Sequence, residues 1–250
     1  MSVAGKVDEL VDGLRPVSLR QLDERARLLR RVDTKYVAEL DALRELLGRL
    51  PDEYDVLEID GRRRFAYDTT YFDTPDLRCF RDHVDGRRPR FKGRTRLYVD
   101  TRQCVFEVKI KRSNDEMDKR QIEHPSRWRR RLTRRAAEFL RRSLADTGLA
   151  APDQMDTSLR TRFQRLTLAA RDDADRLTCD FEVELSRGGD AIGMKPELVL
   201  VETKSETGES PADSVLRELG VEPVSLSKYR AGIGLLVGSD QPEHTRRFFA

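Results

Sequence analysis

The stretch of residues 90–112 constrains the fold most, because charged side chains alternate with uncharged ones along two adjacent segments. Successive side chains of a β-strand point to opposite faces, so this pattern predicts two strands. In the first strand one face carries Arg90, Lys92, Arg94, Arg96 and Tyr98. In the second, the apolar face carries Cys104, Phe106, Val108 and Ile110, and the opposite face carries Glu107, Lys109 and Lys111. The short link at 100–102 is typical of a hairpin, which places the two charged faces side by side.

Like charges on neighbouring strands repel, so this charged face is costly unless water or an anion neutralises it. One interpretation is the solvent face of an ordinary antiparallel sheet, where charge is expected. The other is a binding surface for a polyanion. Basic side chains recur on the segments 117–124 and 157–169 and near Lys204, and this recurrence favours the polyanion.

The overall charge does not indicate a nucleic-acid binder, because 48 Lys and Arg residues are balanced by 45 Asp and Glu residues. Attraction to a polyanion must therefore come from how the charge is arranged. We expect a single domain over residues 1–250, with its core at about 18–236, a loose N-terminus at 1–17 and a dispensable tail at 238–250. No apolar run approaches the length of a membrane span or a signal peptide, which predicts a cytoplasmic protein without a transmembrane segment.

The cysteines and histidines are scattered along the chain. Cys79, Cys104 and Cys179 lie far apart without C-x-x-C spacing, so we interpret them as reduced core residues. The three histidines do not form a metal-binding motif. Any metal must therefore be held by carboxylates.

The remaining pattern predicts a mixture of helices and strands. Helices are expected near residues 18–31, 41–50, 76–84, 126–146, before Gly220, and at 225–236. Further strands are expected near residues 31–40, in two runs within 54–73, and at 117–124, 157–169, 176–185 and 197–204. Within 176–185, strict alternation predicts that Asp180, Glu182 and Glu184 share one face.

These elements predict an α+β fold whose antiparallel sheet of about eight strands closes into a β-tunnel, with the amphipathic helices packed outside. The charged strand faces would then line the tunnel. Cations beside carboxylates suit phosphoryl transfer, because Arg and Lys hold phosphate oxygens while carboxylates hold Mg²⁺ or Mn²⁺. The alternatives are that Glu182 and Glu184 lie on a solvated strand face and that Glu202 only pairs with Lys204.

A basic segment remains outside this scheme. Eight arginines fall between Arg127 and Arg142, on the helix predicted at 126–146. Such a helix can bind a membrane or a polyanion, or it can present an ordinary solvated face. The sequence leaves both readings open.

Several short motifs, in order from about residue 31 to 234, resemble those of the VTC-type polyphosphate polymerase domain of the triphosphate tunnel metalloenzyme superfamily. The motifs are Asp33-x-Lys35-Tyr36, Tyr71-Phe72-Asp73-Thr74, Lys92-x-Arg94-x-Arg96-x-Tyr98, Phe106-Glu107-x-Lys109, Phe163-x-Arg165, Glu202-x-Lys204 and Ser227-Lys228-Tyr229. The sequence departs from the family pattern at Asp33, where Glu is common, and at Phe163, where Tyr is common.

The resemblance implies a tunnel in which basic side chains bind a nucleoside triphosphate with the help of Mn²⁺ or Mg²⁺. Carried over motif by motif, phosphate contacts fall on Lys35, Arg94, Arg96, Lys109, Lys119, Arg165, Lys204, Ser227 and Lys228, and the metal ligand on Glu202. We expect the catalytic role for Arg94, Arg96, Lys109 and Arg165. The alternation patterns add Lys92 and Lys111 as phosphate contacts and Glu182 and Glu184 as metal ligands.

The implied activity is transfer of the terminal phosphoryl group of ATP, or another nucleoside triphosphate, to a growing inorganic polyphosphate chain. Because the same tunnel hydrolyses triphosphates elsewhere in the superfamily, a metal-dependent triphosphate or polyphosphate hydrolase is the first alternative. A non-catalytic polyphosphate-binding or polyanion-binding module is the second. The expected partners are ATP and polyphosphate, without nucleic acid. A free-standing form is implied, with any membrane-protein or regulatory partner not visible in the sequence.

Overall fold

The computed structural model describes residues 3–25, 32–50, 52–114, 116–238 and 243–250. The strands are β1 (Pro16–Val17), β2 (Val32–Glu39), β3 (Tyr54–Leu57), β4 (Arg64–Asp73), β5 (Arg90–Tyr98), β6 (Gln103–Lys111), β7 (Met117–Glu123), β8 (Asp156–Ala170), β9 (Arg176–Arg187), β10 (Asp190–Gly193) and β11 (Leu198–Ser205). The helices are α1 (Val3–Val11), α2 (Leu19–Arg25), α3 (Leu40–Arg49), α4 (Arg78–Val84), α5 (Arg134–Leu144), α6 (Pro211–Glu218), α7 (Lys228–Val237) and α8 (Glu243–Arg246). Among these helices, none has the length and apolar character needed to cross a membrane.

Most of the predicted elements are confirmed, including the hairpin of β5 and β6. The helix predicted from residue 18 begins as expected: the Ser18 backbone N–H donates to Gln21 Oε1 at 3.0 Å, and the Gln21 N–H donates to Ser18 Oγ at 3.3 Å. Its predicted continuation over residues 26–31 lies outside the described residues. The three cysteines are buried and free, as expected.

One large, mostly antiparallel sheet organises the chain, in the order β2-β11-β9-β8-β4-β5-β6-β7, so the expected α+β class is confirmed. Strand β1 pairs in parallel with β3, which itself pairs with β8, and β10 pairs with β9. Within the described residues the two end strands, β2 and β7, are not hydrogen-bonded to each other. The predicted closure into a tunnel is therefore not confirmed.

The sheet is nevertheless curled. Strands β5 and β9 are separated by β8 and β4 in the sheet, yet both contact the start of α7. Lys92 of β5 donates to Ser227 Oγ at 3.3 Å, and Lys228 donates to Asp180 of β9. We call the face that carries Arg94, Asp180 and Glu202 the inner face, and the opposite one the outer face. The inner face is concave.

A β-bulge in β9 changes which side chains reach the inner face. Glu182 has a left-handed backbone with φ of 51°, and the register with β8 shifts there, so that Arg162 opposes Glu184 but Gln164 opposes Phe181. Because opposed residues share a face, Glu184 lies on the outer face with Phe181. The prediction that Asp180, Glu182 and Glu184 share one face is therefore wrong: Asp180 is inner, and Glu184 is outer.

The same bulge places a helix on the inner side of the sheet. Val183 and Leu185 of β9 face inward after the shift and pack in one core cluster with Phe163 of β8 and with Tyr229 and Ile233 of α7. All helices were expected outside. Helix α7 instead fills one part of the concave face with apolar side chains, and its N-terminal end lies beside the charged part.

Both termini pack more closely than the sequence predicts. Val7, Val11 and Leu14 are buried in the core that also contains residues of α3 and α6. At the C-terminus Phe248 and Phe249 are buried, and the Ala250 N–H donates to the Gly193 carbonyl at 2.9 Å. The few apolar residues at each terminus are enough to hold it against the protein, because each one packs into a larger apolar cluster.

The Arg-rich segment, residues 127–142, does not form the single helix that was predicted at 126–146. Ser126–Trp128 form a single 3-10 turn, and α5 begins at Arg134, where Thr133 Oγ1 accepts from the Ala136 N–H at 3.3 Å. Between them, the carbonyl of Arg130 accepts a hydrogen bond from Thr157 Oγ1 at 2.9 Å. The sequence prediction failed here because this contact and the Thr133 cap stop the helix from starting earlier.

Candidate phosphate-binding site

The centre of the inner face is the cationic row of β5 and β6. The register places Lys92 opposite Lys109 and Arg94 opposite Glu107, and Lys119 of β7 lies opposite Lys109. This is the arrangement that the alternation predicted. It brings basic side chains from three neighbouring strands onto one concave surface.

Glu107 is the counter-charge for this row. Its side chain is 1% exposed, it accepts from Arg94 Nε at 2.6 Å, and Lys119 Nζ lies 3.6 Å from its carboxylate. Burial alone raises a carboxyl pKa, but Arg94, Arg96 and Lys119 hold the pKa of Glu107 well below its usual range. Arg94 also donates to the Tyr71 hydroxyl at 3.0 Å. Arg94 is therefore fixed by two partners.

Other cations of the row have no such partner. Within the described residues, no carboxylate lies within 4 Å of Lys92, Arg96 or Lys109, and Arg96 Nε is buried without a hydrogen-bond acceptor. Burial, together with Arg90 and Arg94, lowers the pKa of Lys92 to about 7. Arg94 and burial likewise lower the pKa of Lys109. Lowered lysine pKa values in a cluster of cations indicate a site whose charge is not neutralised by the protein alone.

Glu202 lies on the other side of the concave face. It opposes Lys35 in the pairing of β11 with β2, and its carboxylate is 2.9 Å from Lys204 Nζ and 3.9 Å from Lys35 Nζ. These lysines outweigh the effect of burial and hold the pKa of Glu202 well below its usual range. Its strand, β11, is next to β9, whose Asp180 is bound by Lys228 at the same end of α7 that Lys92 of β5 contacts. The curl therefore turns Glu202 and the cationic row toward the same concave face.

A third group joins β8, β9 and α7. Arg165 donates to both oxygens of Asp180, at 2.5 and 2.7 Å, and Lys228 donates to the same carboxylate. Burial opposes the ionised form, but Arg165 and Lys228 lower the pKa of Asp180 to about 2. Arg165 also lies over the Tyr67 ring, 5.2 Å from its centroid. Asp180 therefore neutralises part of the cationic surface and fixes the direction of Arg165.

Two aromatic residues of the sequence motifs serve the scaffold. Tyr229 donates to Asp73, and Asp73 also accepts from the backbone N–H groups of Cys79 at 2.8 Å and Phe80 at 3.0 Å. Tyr36 donates to Asp213 at 2.7 Å. These contacts tie α4, α6 and α7 to the sheet, so Asp73, Tyr36 and Tyr229 hold the elements that carry the site.

The predicted site residues divide into those that share the concave face and those that do not. The inner face carries Lys35, Lys92, Arg94, Arg96, Lys109, Lys119, Arg165, Glu202 and Lys204, with Ser227 and Lys228 at the adjoining end of α7. Lys111 lies on the same face, at the edge where β6 ends, opposite Arg90 and Met117. Glu182 is exposed at the bulge, and Glu184 is bound to Arg162 on the outer face at 2.6 Å.

The predicted metal ligands are thus separated. The bulge keeps Glu184 away from Glu202, and in the described part of the chain no three His, Cys, Asp or Glu side chains form a metal-binding group. Sequence reasoning placed Glu107 and Asp180 on charged faces but gave them no role in the site. Their positions opposite arginines in the register were the available signal.

A concave face with unneutralised cations next to an ionised carboxylate is suited to a polyanion. Comparison with known families is consistent with this chemistry, because the model of the VTC domain matches residues 30–237. The chain therefore belongs to the VTC domain family, which confirms the resemblance seen in the sequence motifs. A search of curated proteins finds no match.

Several solved structures are distantly similar. One is described as a putative adenylyl cyclase HpAC1 from Hippeastrum with a dominant triphosphatase activity, at 16% identity and a TM-score of 0.48, covering 84% of this chain and 98% of that one. Another is a conserved hypothetical protein from Pyrococcus furiosus, at 14% identity and a TM-score of 0.43, covering 80% and 98%. A third is PH1819 from Pyrococcus horikoshii, at 13% identity and a TM-score of 0.44, covering 83% and 98%. These likenesses are too distant to bear on function.

Proposed function

We propose that this protein is a polyphosphate polymerase that transfers the terminal phosphoryl group of ATP to a growing inorganic polyphosphate chain on its inner face. One observation carries the proposal: Lys92, Arg96 and Lys109 converge on a concave surface without a carboxylate partner in the described structure. A bound chain of phosphates supplies the missing negative charge. Membership of the VTC domain family supports a triphosphate or polyphosphate as that chain.

Some basic residues of the inner face are held in place by other side chains, and others have no carboxylate partner and can bind the substrate. Glu107 and Tyr71 hold Arg94 in place, so its remaining guanidinium N–H groups are directed before the substrate binds. Arg96 and Lys109 are available for the charge that develops on the transferring phosphoryl group. Fixed cations of this kind stabilise the transition state without reorganising during the reaction.

The reaction needs little acid–base chemistry from the protein. The bond between the β-γ bridging oxygen and the γ-phosphorus of ATP breaks, ADP leaves, and the γ-phosphorus bonds to a terminal oxygen of the polyphosphate. That oxygen is already anionic near neutral pH, so it must be aligned rather than deprotonated. The cationic row provides the alignment. Hydrolysis is the same displacement with water as the acceptor.

The residues present fit a divalent cation. Mg²⁺ and Mn²⁺ at phosphate sites commonly take one or two carboxylates and complete their coordination with substrate oxygens and water. Glu202 is half-buried, is ionised because of Lys35 and Lys204, and lies on the same concave face as the cations. The bound ion supplies charge neutralisation on the phosphate oxygens. Glu202 alone is retained as the proposed protein ligand.

A product assay tests the proposal. Purified protein is incubated with γ-labelled ATP and Mn²⁺, and the products are followed by gel electrophoresis and by released orthophosphate. We expect a labelled polymer that grows with time and is lost in the Arg94→Ala, Arg96→Ala double variant. Arg162→Ala, on the outer face, is the matched control and retains activity. Orthophosphate without polymer would identify a hydrolase, and unchanged ATP with tight polyphosphate binding would identify a binding module.

A further inference from the structure

The Arg-rich segment, residues 127–142, forms a basic surface on the outer side of the molecule. Its exposed arginines are Arg127, Arg130, Arg131, Arg134, Arg135, Arg141 and Arg142. In the part of the chain that the structure describes, none of them has a carboxylate within 4 Å. Glu138 is the one acidic residue of the segment. The surface therefore presents positive charge that the protein does not neutralise.

Several exposed arginines elsewhere on this protein are paired with carboxylates. Arg44 lies 2.7 Å from Asp41, Arg62 lies 3.0 Å from Asp100, and Arg49 contacts both Glu45 and Glu218 at 3.0 and 3.1 Å. The chain is nearly balanced in charge overall, with a formal net charge of +3. Other exposed arginines, such as Arg15, Arg20 and Arg102, also have no carboxylate within 4 Å among the described residues, but they do not form a run. What distinguishes residues 127–142 is therefore the clustering of such arginines in one short segment.

The segment is also anchored to the sheet. Arg129 lies 3.2 Å from Asp68 of β4, and Arg160 of β8 holds the same carboxylate at 2.8 Å. Thr95 and Thr157 donate to the backbone carbonyls of Arg129 and Arg130. On α5, Arg134 and Arg141 are seven residues apart, so they lie on one helix face separated by about 10 Å. The arginines are thus presented on a fixed platform.

The chemistry of the surface favours a water-soluble polyanion over a membrane. The apolar side chains of α5, Ala136, Leu140 and Leu144, are buried in the protein core, so no apolar helix face remains for lipid. Trp128 is 39% exposed, but Arg127 and Arg131 lie over its ring at 5.9 and 5.1 Å, which leaves it poorly placed to stack on a base or to enter a bilayer. A guanidinium group binds phosphate through two parallel hydrogen bonds to its oxygens, and this is the interaction that the exposed arginines can make.

We infer that the arginines of residues 127–142 form a second binding site for inorganic polyphosphate, outside the concave face. The identity of the ligand rests on the proposed function, because a polymerase releases such a chain next to its own surface. Holding the product there raises its effective concentration at the inner face and slows its escape. The site therefore favours longer products without changing the first transfers.

Binding can be tested separately from activity. The Arg94→Ala, Arg96→Ala background weakens the inner site, and fluorescently labelled polyphosphate is titrated into it by anisotropy at several salt concentrations. Into that background we introduce Arg130→Gln, Arg131→Gln, Arg134→Gln and Arg135→Gln together. The matched control carries Arg44→Gln, Arg49→Gln, Arg62→Gln and Arg217→Gln, which remove the same charge from arginines that have acidic partners. Thermal unfolding verifies that both proteins are folded.

We expect the first set to weaken polyphosphate binding by about tenfold or more and to flatten its salt dependence, while the control stays within about threefold of the background. Equal binding by the two sets would overturn the inference. So would tighter binding of phosphatidylserine vesicles or single-stranded DNA than of polyphosphate at the same salt. If the protein with an intact inner face makes no polymer yet this difference in binding holds, the proposed function fails and the second site stands.

Discussion

Replacing Glu107 by Gln tests whether the cationic row depends on a buried counter-charge. The substitution keeps the size of the side chain and removes its charge, while Arg94 remains buried with a side chain 8% exposed. Breaking a buried ion pair by removing one partner costs about 3–5 kcal/mol. For a chain of this size each kcal/mol lowers Tm by about 2–4 °C, so we expect a decrease of roughly 6–20 °C.

The assay is thermal unfolding followed by circular dichroism, with and without tripolyphosphate. At a fixed tripolyphosphate concentration the added stability grows with affinity and reaches about 2.7 kcal/mol when that concentration is 100 times Kd. The variant lacks the carboxylate that competes for the cations, so its Tm should rise more with tripolyphosphate than that of the wild type. Glu184→Gln is the matched control, because its pair with Arg162 is half exposed, and it should cost about 1 kcal/mol or less. An unchanged Tm for Glu107→Gln would refute the assigned role of this carboxylate.

Other substitutions separate the roles of the inner residues. Arg96→Ala should lower kcat/KM by about 10³-fold or more while Tm changes little, as measured by steady-state kinetics and unfolding. Glu202→Gln should raise the Mn²⁺ concentration needed for half-maximal activity, and a normal metal titration with a lowered Tm would show a structural role instead. Because Lys92 has a pKa of about 7 and phosphate binds its protonated form, tripolyphosphate affinity measured by calorimetry should fall as pH rises from about 6.5 to 8.5. Lys92→Arg, which stays charged, should reduce that fall, and an identical pH profile would contradict the assignment.

The strand pattern was readable from the sequence because its period depends only on local backbone geometry. The alternation across β5 and β6 correctly placed Arg94, Arg96 and Lys109 on one face. The same rule failed in β9, where one extra residue at Glu182 moves every later side chain to the other face. Glutamate carries no signal for a left-handed backbone, so alternation alone could not reveal the bulge.

Contacts between distant segments were also beyond the sequence. The contacts of both β5 and β9 with the start of α7 depend on how far the whole sheet curls, which no short motif encodes. The position of α7 on the inner side follows from the apolar patch that the bulge creates. The packing of Val7 and Val11 likewise depends on a cluster formed by much later residues. In each case the position of the residue depends on tertiary contacts with segments that are distant in the sequence.

A crystal structure with Mn²⁺ and a non-hydrolysable ATP analogue would show directly where the metal and the phosphates bind. Anomalous scattering locates the manganese, and difference density locates the phosphates. We expect manganese at the carboxylate of Glu202 and the phosphate chain beside Arg94, Arg96 and Lys109. Phosphates bound only at the arginines of residues 127–142, or manganese bound at Glu184 on the outer face, would contradict it.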